Sequence, residues 1–217
     1  MATTLASLTD RVEEILADSG NAIWTAGNIE EAIRQALHTY SKARPRHRET
    51  SLTLTADGRE ISTSTITDLV SVTEIWVDYD SSDPAFPPPI RPFRHWKDIG
   101  TIYVMGQHEP KNAEVVRVFY TALHLINSLD SAASTTVPDE DITALAHGAA
   151  GYAAASRAVD LAEMISVDRQ AVDRMDKWAQ ARLTEFRIAL QAIARSIQDP
   201  TAHVPTGTLD RFEGDWT

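Results

Sequence analysis

Cysteine is absent from the 217 residues, which excludes disulfide staples, thiol nucleophiles and sulfur-based zinc sites together. No run of about 18 apolar residues occurs, so nothing reads as a transmembrane helix. The start, MATTLASLTDRVEEIL, has neither the basic opening nor the apolar block of a signal peptide, and a soluble, cytosolic product is the expectation. The nine glycines never form GxGxxG or a phosphate-binding loop ending in GK, and no GxSxG elbow is present. Positive charge is scarce too: 20 Lys and Arg face 31 Asp and Glu, a formal net charge of −11. A chain of that sign is on average repelled by phosphate, which argues against generic duplex binding.

Candidate chemistry is correspondingly thin. The seven histidines, at 38, 47, 95, 108, 124, 147 and 203, show no HExxH pattern and no close pairing; they are read as surface or interfacial residues. Asp78, Asp80 and Asp83 in DYDSSD resemble the opening of a calcium loop. The loop's glycine is missing, however, and its twelfth position is Pro89 where a bidentate glutamate is needed, so the stretch is read as a solvated acidic turn. No catalytic residue, cofactor site or metal site is expected, and the chain is not expected to be an enzyme.

What is present is patterned. With 43% hydrophobic residues the chain can form one large domain, or one domain with a sizeable insertion. Residues 4–18 place Leu5, Leu8, Val12, Ile15 and Leu16 at helical spacing. Thr25 then caps a second helix in which Glu30 and Glu31 complement the dipole, Ile29, Ile33, Leu37 and Tyr40 form the apolar face, and Pro45 is the stop. From residue 48 the period changes to two: Leu52 and Leu54 alternate with Ser and Thr, and Ala56-Asp57-Gly58 signals a hairpin turn before Ile61. Residues 70–79 alternate as a further strand. Five prolines between 83 and 92 make a loop, and strands over 101–105 and 114–121 are expected on either side of the turn-like GQHEPKNA.

Helices resume at Pro138, with Asp139, Glu140 and Asp141 at the N-terminal end. There Ala144, Gly148, Gly151 and Ala155 form a small-residue stripe that a neighbouring helix can approach closely. Ser166 and Asp168 open the longest helix, in which Val172, Met175, Ala179, Phe186, Leu190, Ile193 and Ile197 recur up to Asp199-Pro200. At 1.5 Å per residue it is about 45 Å long, more than a domain of this size needs, so part of it is expected against another subunit. The tail from 200 has no periodicity, yet Leu209, Phe212 and Trp216 on an acidic segment suit anchoring in a partner's pockets. The expected fold is α+β and mainly helical. It comprises an antiparallel helical bundle from residues 1–47 and 123–199, with two N-terminal and two C-terminal helices, a β-rich insertion over 48–122, and an extended C-terminal tail over 200–217.

One local feature runs against the overall charge. The stretch YSKARPRHRETSLTL carries Lys42, Arg44, Arg46, His47 and Arg48. Lys42 and Arg44 suit the negative end of a helix dipole, and Arg46 and Arg48 suit the edge of a first strand. The alternative is a phosphate contact or a salt-bridging subunit interface, with an acidic protein partner favoured over DNA by the chain's sign. A DNA-binding regulatory or packaging protein using residues 42–48 therefore stands as the second functional expectation.

Taken in order, the first helix, IWTAGNIEEAIRQALHTYSKARPR, ETSLTLTADGREIS and TDLVSVTEIWVDY resemble the head-to-tail adaptor (connector) proteins of tailed bacteriophages. The matching residues are Trp24, Thr25, Tyr40, Arg44, Asp57, Gly58, Arg59, Asp68, Leu69 and Trp76, with Asn28 where the family carries an acid. The likeness is densest over residues 5–80 and architectural afterwards. It implies a virion structural protein, made in the host cytoplasm, that forms a ring beneath the portal, usually of twelve copies. That ring meets a tail, stopper or nozzle protein and continues the DNA channel without sequence-specific binding; no membrane is involved. It implies a portal-binding tail at Leu209, Arg211, Phe212, Asp215 and Trp216.

Overall fold

Each of the first two helices starts where a threonine can satisfy its free backbone N–H groups. In a computed structural model, which describes residues 3–18, 20, 22–80, 82, 90–162 and 168–198, Thr4 caps α1 (Leu5–Leu16). The Ser7 N–H donates to Thr4 Oγ1 at 3.2 Å, and the Thr4 N–H donates back to Ser7 Oγ at 2.9 Å. Leu8, Val12 and Leu16 form the buried face of α1. It ends at Ala17, whose left-handed backbone (φ 54°) aims its N–H at the carbonyls of Glu13 and Glu14. The carboxylate of Asp18 then gathers the N–H groups of Ala22, Ile23 and Trp24 at 2.8–2.9 Å. Those bonds, from Trp24 first and Ile23 next, hold its pKa below the ordinary carboxylate value.

Thr25 and Asn28 form the same reciprocal cap at the start of α2 (Ala26–Ala43). Asn28, where the resembled family carries an acid, thus supplies the same acceptor. Glu30 and Glu31 lie beyond the first turn and pair with Arg34 instead of serving the helix terminus. Two further helices, α3 (Ile142–Ala162) and α4 (Arg169–Gln198), complete the bundle. Asp168 opens α4, its Oδ1 accepting from the Gln170 N–H at 2.9 Å. One apolar cluster joins all four: Leu8 and Val12, Ile29, Ile33 and Tyr40, Leu145 and Ala149, and Ala179, Phe186 and Leu190. Pro138 precedes a 3-10 turn at Asp139–Asp141 and does not begin α3 itself.

Between α2 and α3 lie β1 (Arg46–Thr53), β2 (Glu60–Ser62), β3 (Ser71–Val77), β4 (Phe93–Trp96), β5 (Thr101–Val104) and β6 (Val115–Ala122). They form two antiparallel three-stranded sheets, ordered β1-β6-β3 and β2-β5-β4. A second apolar cluster, with Ile61, Val72, Ile75, Val77, Ile102, Val104, Val116 and Val118, fills the space they share. An isolated bridge between Trp76 and Ile90, with the Arg91 N–H donating to Ile75 O at 3.1 Å, joins the sheets on one side.

Three local expectations are corrected. Ala56-Asp57-Gly58 does not turn β1 back upon β2: β1 pairs with β6, more than sixty residues on, and β2 pairs with β5. The Gly58 N–H donates to Pro110 O, so this turn crosses between sheets. The segment GQHEPKNA likewise joins strands of different sheets. Finally, β4 follows the proline-rich loop directly, in FRHW, a stretch too short and too charged to show a period. In β3 a bulge between Val72 and Glu74 lets Val72, Ile75 and Val77 all face the core, although a strict alternation separates them. The fold is α+β and mainly helical. Residues 199–217 lie outside the described residues.

Candidate functional site

The basic cluster falls at the join between bundle and sheets. Lys42 is in the last turn of α2, Arg44 is its C-cap residue, and Arg46 and Arg48 belong to β1, an edge strand. Two of the four are committed inside the molecule. Arg44 Nη1 donates to Asp141 Oδ2 at 2.6 Å and lies 3.7 Å from Glu140. Arg48 pairs with Asp68. Lys42, Arg46 and His47 have no carboxylate partner among the described residues. A patch imagined as four free cations is therefore much weaker as a grip on phosphate.

Asp141 is the centre of a buried network. It is 5% exposed and also accepts from the Tyr40 hydroxyl at 2.6 Å. Burial, and then the carboxylate, push the Tyr40 phenol well above its ordinary pKa. The Tyr40 ring meets His124 edge-on at 5.1 Å between centroids. His124 Nδ1 lies 3.0 Å from Thr136 O, a group that can only accept, so Nδ1 carries the proton. Burial pulls the His124 pKa below its ordinary 6.5. The His124 N–H donates to Ser41 Oγ at 3.0 Å, so α2, the strand end and the start of α3 are fastened at one point.

Other positions that carry the family resemblance are fasteners of the same kind. Trp24 Nε1 donates to Ala153 O at 3.3 Å, tying the first interhelical turn to α3. Asp57 accepts from the Asn112 N–H at 2.7 Å, and Arg59 Nη1 reaches Gly106 O at 2.7 Å. Asp68 receives both Arg48 and the Tyr120 hydroxyl; burial opposes its charge, but those two partners keep its pKa below the ordinary value.

Of the small-residue stripe, Gly148 and Gly151 are buried against α4, while Ala144 and Ala155 are half-buried. A Cβ on Gly148 would lie 2.6–2.8 Å from the Phe186 ring, and one on Gly151 would lie 3.0 Å from Leu183. The glycines therefore serve a contact within the chain. Leu209, Arg211, Phe212, Asp215 and Trp216, which the family resemblance implies as a portal-binding tail, lie outside the described residues, as does Asp83 of the acidic turn.

One cluster has no signature in the sequence. On the outer face of the first sheet, Arg117 stacks over Tyr79 at 4.7 Å, Phe119 at 5.5 Å and Trp76 at 5.7 Å, and it pairs with Glu49. The alternation of 114–121 puts Arg117 and Phe119 on one face, but nothing local shows that Trp76 of β3 and Tyr79, just beyond it, reach the same face. Among the described residues no three His, Asp or Glu side chains converge on a metal-sized group. No helix among them is long and apolar enough to cross a membrane.

No family model and no curated protein matches the chain. Among solved structures, a chain described as "Neck of empty GTA particle computed with C6 symmetry" is similar at 17% identity over 82% of this chain and 88% of that one, with a TM-score of 0.30. A superposition that loose supports no statement about this chain.

Proposed function

We propose that this chain is a structural adaptor of a tailed-phage-type virion, one subunit of a ring that sits beneath the portal and passes the DNA channel on to the tail. The observation that carries this reading is the placement of the motif residues. Trp24, Tyr40, Arg44, Asp57, Arg59 and Asp68, which supply the resemblance to head-to-tail adaptors, all act on joints between elements. Such residues set the shape of a subunit and leave no chemistry over. Shape is what a ring component needs, because each weak contact is repeated around a closed symmetry.

The remaining features support the same reading. Val159 on α3 and Ile188 on α4 are more than half exposed, as side chains that a neighbouring copy covers would be. The net charge of −11 lets a DNA duplex pass without adhering. In this proposal the partners are further copies of the chain (a dodecamer by resemblance), the portal, and a tail, stopper or nozzle protein. The site of action is the head-to-tail interface of the virion, and no catalytic step is assigned.

The test is to mix the purified chain with its cognate portal ring and image the mixture by electron microscopy. A collar of repeated density beneath the portal supports the proposal; a chain that stays monomeric and leaves the portal bare overturns it.

A further inference from the structure

An apolar cleft of about 350 Å³ lies between α2 and the strand-like segment that leaves β6. Its walls include Leu37 and His38 from α2 and Leu123, Leu125, Ile126 and Leu129 opposite. Leu123 and Leu125 are 42% and 39% exposed, so two leucines on adjoining alternate positions face solvent here. His124 sits between them, 6% exposed. The fitting occupant is therefore apolar in body, as an aromatic side chain is.

Charge narrows the choice further. His38 is an exposed residue of the cleft, and Lys42, one turn on along the same helix, is exposed and has no carboxylate partner among the described residues. Among the described residues the one acid lining the cleft, Asp130, is engaged by Arg34. The rim thus favours an acidic segment. The chain supplies one: LDRFEGDW, residues 209–216, sets three acids against one arginine and ends in Trp216.

Reach permits the match. Phe186 lies against Gly148, so α4 runs past the start of α3 and ends on the same side of the bundle as the C-terminus of α2. Between Gln198 and Leu209 an extended chain spans about 36 Å. We propose that, before assembly, this cleft receives the chain's own residues 209–216, with Trp216 in the apolar floor and the acids along the His38 and Lys42 rim. Held there, the anchor aromatics are kept from self-association until a stronger partner takes them. The inference stands or falls independently of the portal.

The absence of cysteine makes the test clean. In the full chain, H38C is combined with T217C, and T65C with T217C serves as the control on the β-rich part. Disulfide formation is followed on non-reducing gels at low protein concentration. The expected result is an intramolecular bond that forms about tenfold faster for the 38–217 pair than for the control, as a docked segment raises the effective concentration. Adding W216A to the first pair should return its rate to the control value. Equal rates for the two pairs, or no response to W216A, overturn the proposal. Predominantly dimeric products overturn the same-chain assignment in favour of a second copy. Portal binding is not read in this experiment, so a negative result here leaves the adaptor proposal untouched.

Discussion

Asp141 holds two partners of different kinds, and removing its charge separates them. D141N keeps an oxygen for the Tyr40 hydroxyl but leaves Arg44, whose side chain is 27% exposed, without its close counter-charge. The expected loss is about 2–3 kcal/mol by urea denaturation, at the low end for a buried ion pair because Arg44 reaches water. Y40F should cost less, about 1 kcal/mol, since Arg44 still satisfies the carboxylate. His124 gives the same joint a pH dependence. Burial favours its neutral form, so in the range just below its ordinary 6.5 the unfolded chain binds more protons than the folded one. Its contribution is complete above that range and is lost as pH falls. Urea midpoints at about pH 7.5 and 5.5 should therefore differ less in H124F than in the parent, with His95, also shifted down by burial, supplying a remainder. Gly148 tests packing alone: G148A drives a methyl into the buried Phe186 ring. Overpacking of about 1–3 kcal/mol should outweigh the gain of about 1 kcal/mol in helix propensity. Adding F186L should recover part of the loss, which a double-mutant cycle would detect as coupling.

At the scale of elements, β1 shows which contacts a strand can lose. The Leu54 N–H donates to Glu114 O, and the antiparallel register makes even-numbered residues of β1 bond β6 while odd-numbered ones face the open edge. L54P should remove a ladder bond and unfold the strand end, whereas T53P should shift the denaturation midpoint little. Amide exchange would separate the two, rising at Ala113, whose N–H donates to Leu54 O, and at the start of β6 only in L54P. Helix positions were legible in the sequence because caps and periodicity act within about four residues: Thr4, Thr25 and Asp168 mark starts by groups that lie next to them. Strand partners were not. The turn at Asp57-Gly58 has the composition of a hairpin, but the next strand has only three residues, and a more distant strand, β6, offers an eight-residue ladder instead. The bulge at Thr73 hid the inward face of β3 for a related reason, since one extra residue resets a period of two.

At the scale of the whole molecule, the proposed adaptor role gives a separable outcome for the tail. Removing residues 200–217 should leave the helical signal in circular dichroism unchanged, because the apolar cluster that joins the four helices is built from residues between Leu5 and Ile193. It should weaken portal capture at least tenfold, as expected when several anchors repeated around a ring are lost together. Capture at full strength by the shortened chain would show that residues 209–216 are not the portal anchor. Neutralising Lys42 and Arg46 tests the second functional expectation: if residues 42–48 grip DNA, duplex affinity should fall steeply with salt and drop again in the double variant. With Arg44 and Arg48 committed to Asp141 and Asp68, little affinity is expected to begin with.

By itself the sequence determined what the chain lacks, where its helices begin, which of their faces are apolar, and that a β-rich stretch separates two helical ones. These follow from composition and from forces that act over a turn of helix or two residues of strand. The tertiary structure alone decided which strands pair, that the glycines of α3 serve α4 of the same chain, and that Arg44 and Arg48 are spent within the molecule. Those outcomes depend on groups brought together across the chain, such as Arg44 with Asp141 and Arg48 with Asp68, where burial and charge act through space and local spacing carries no trace of them.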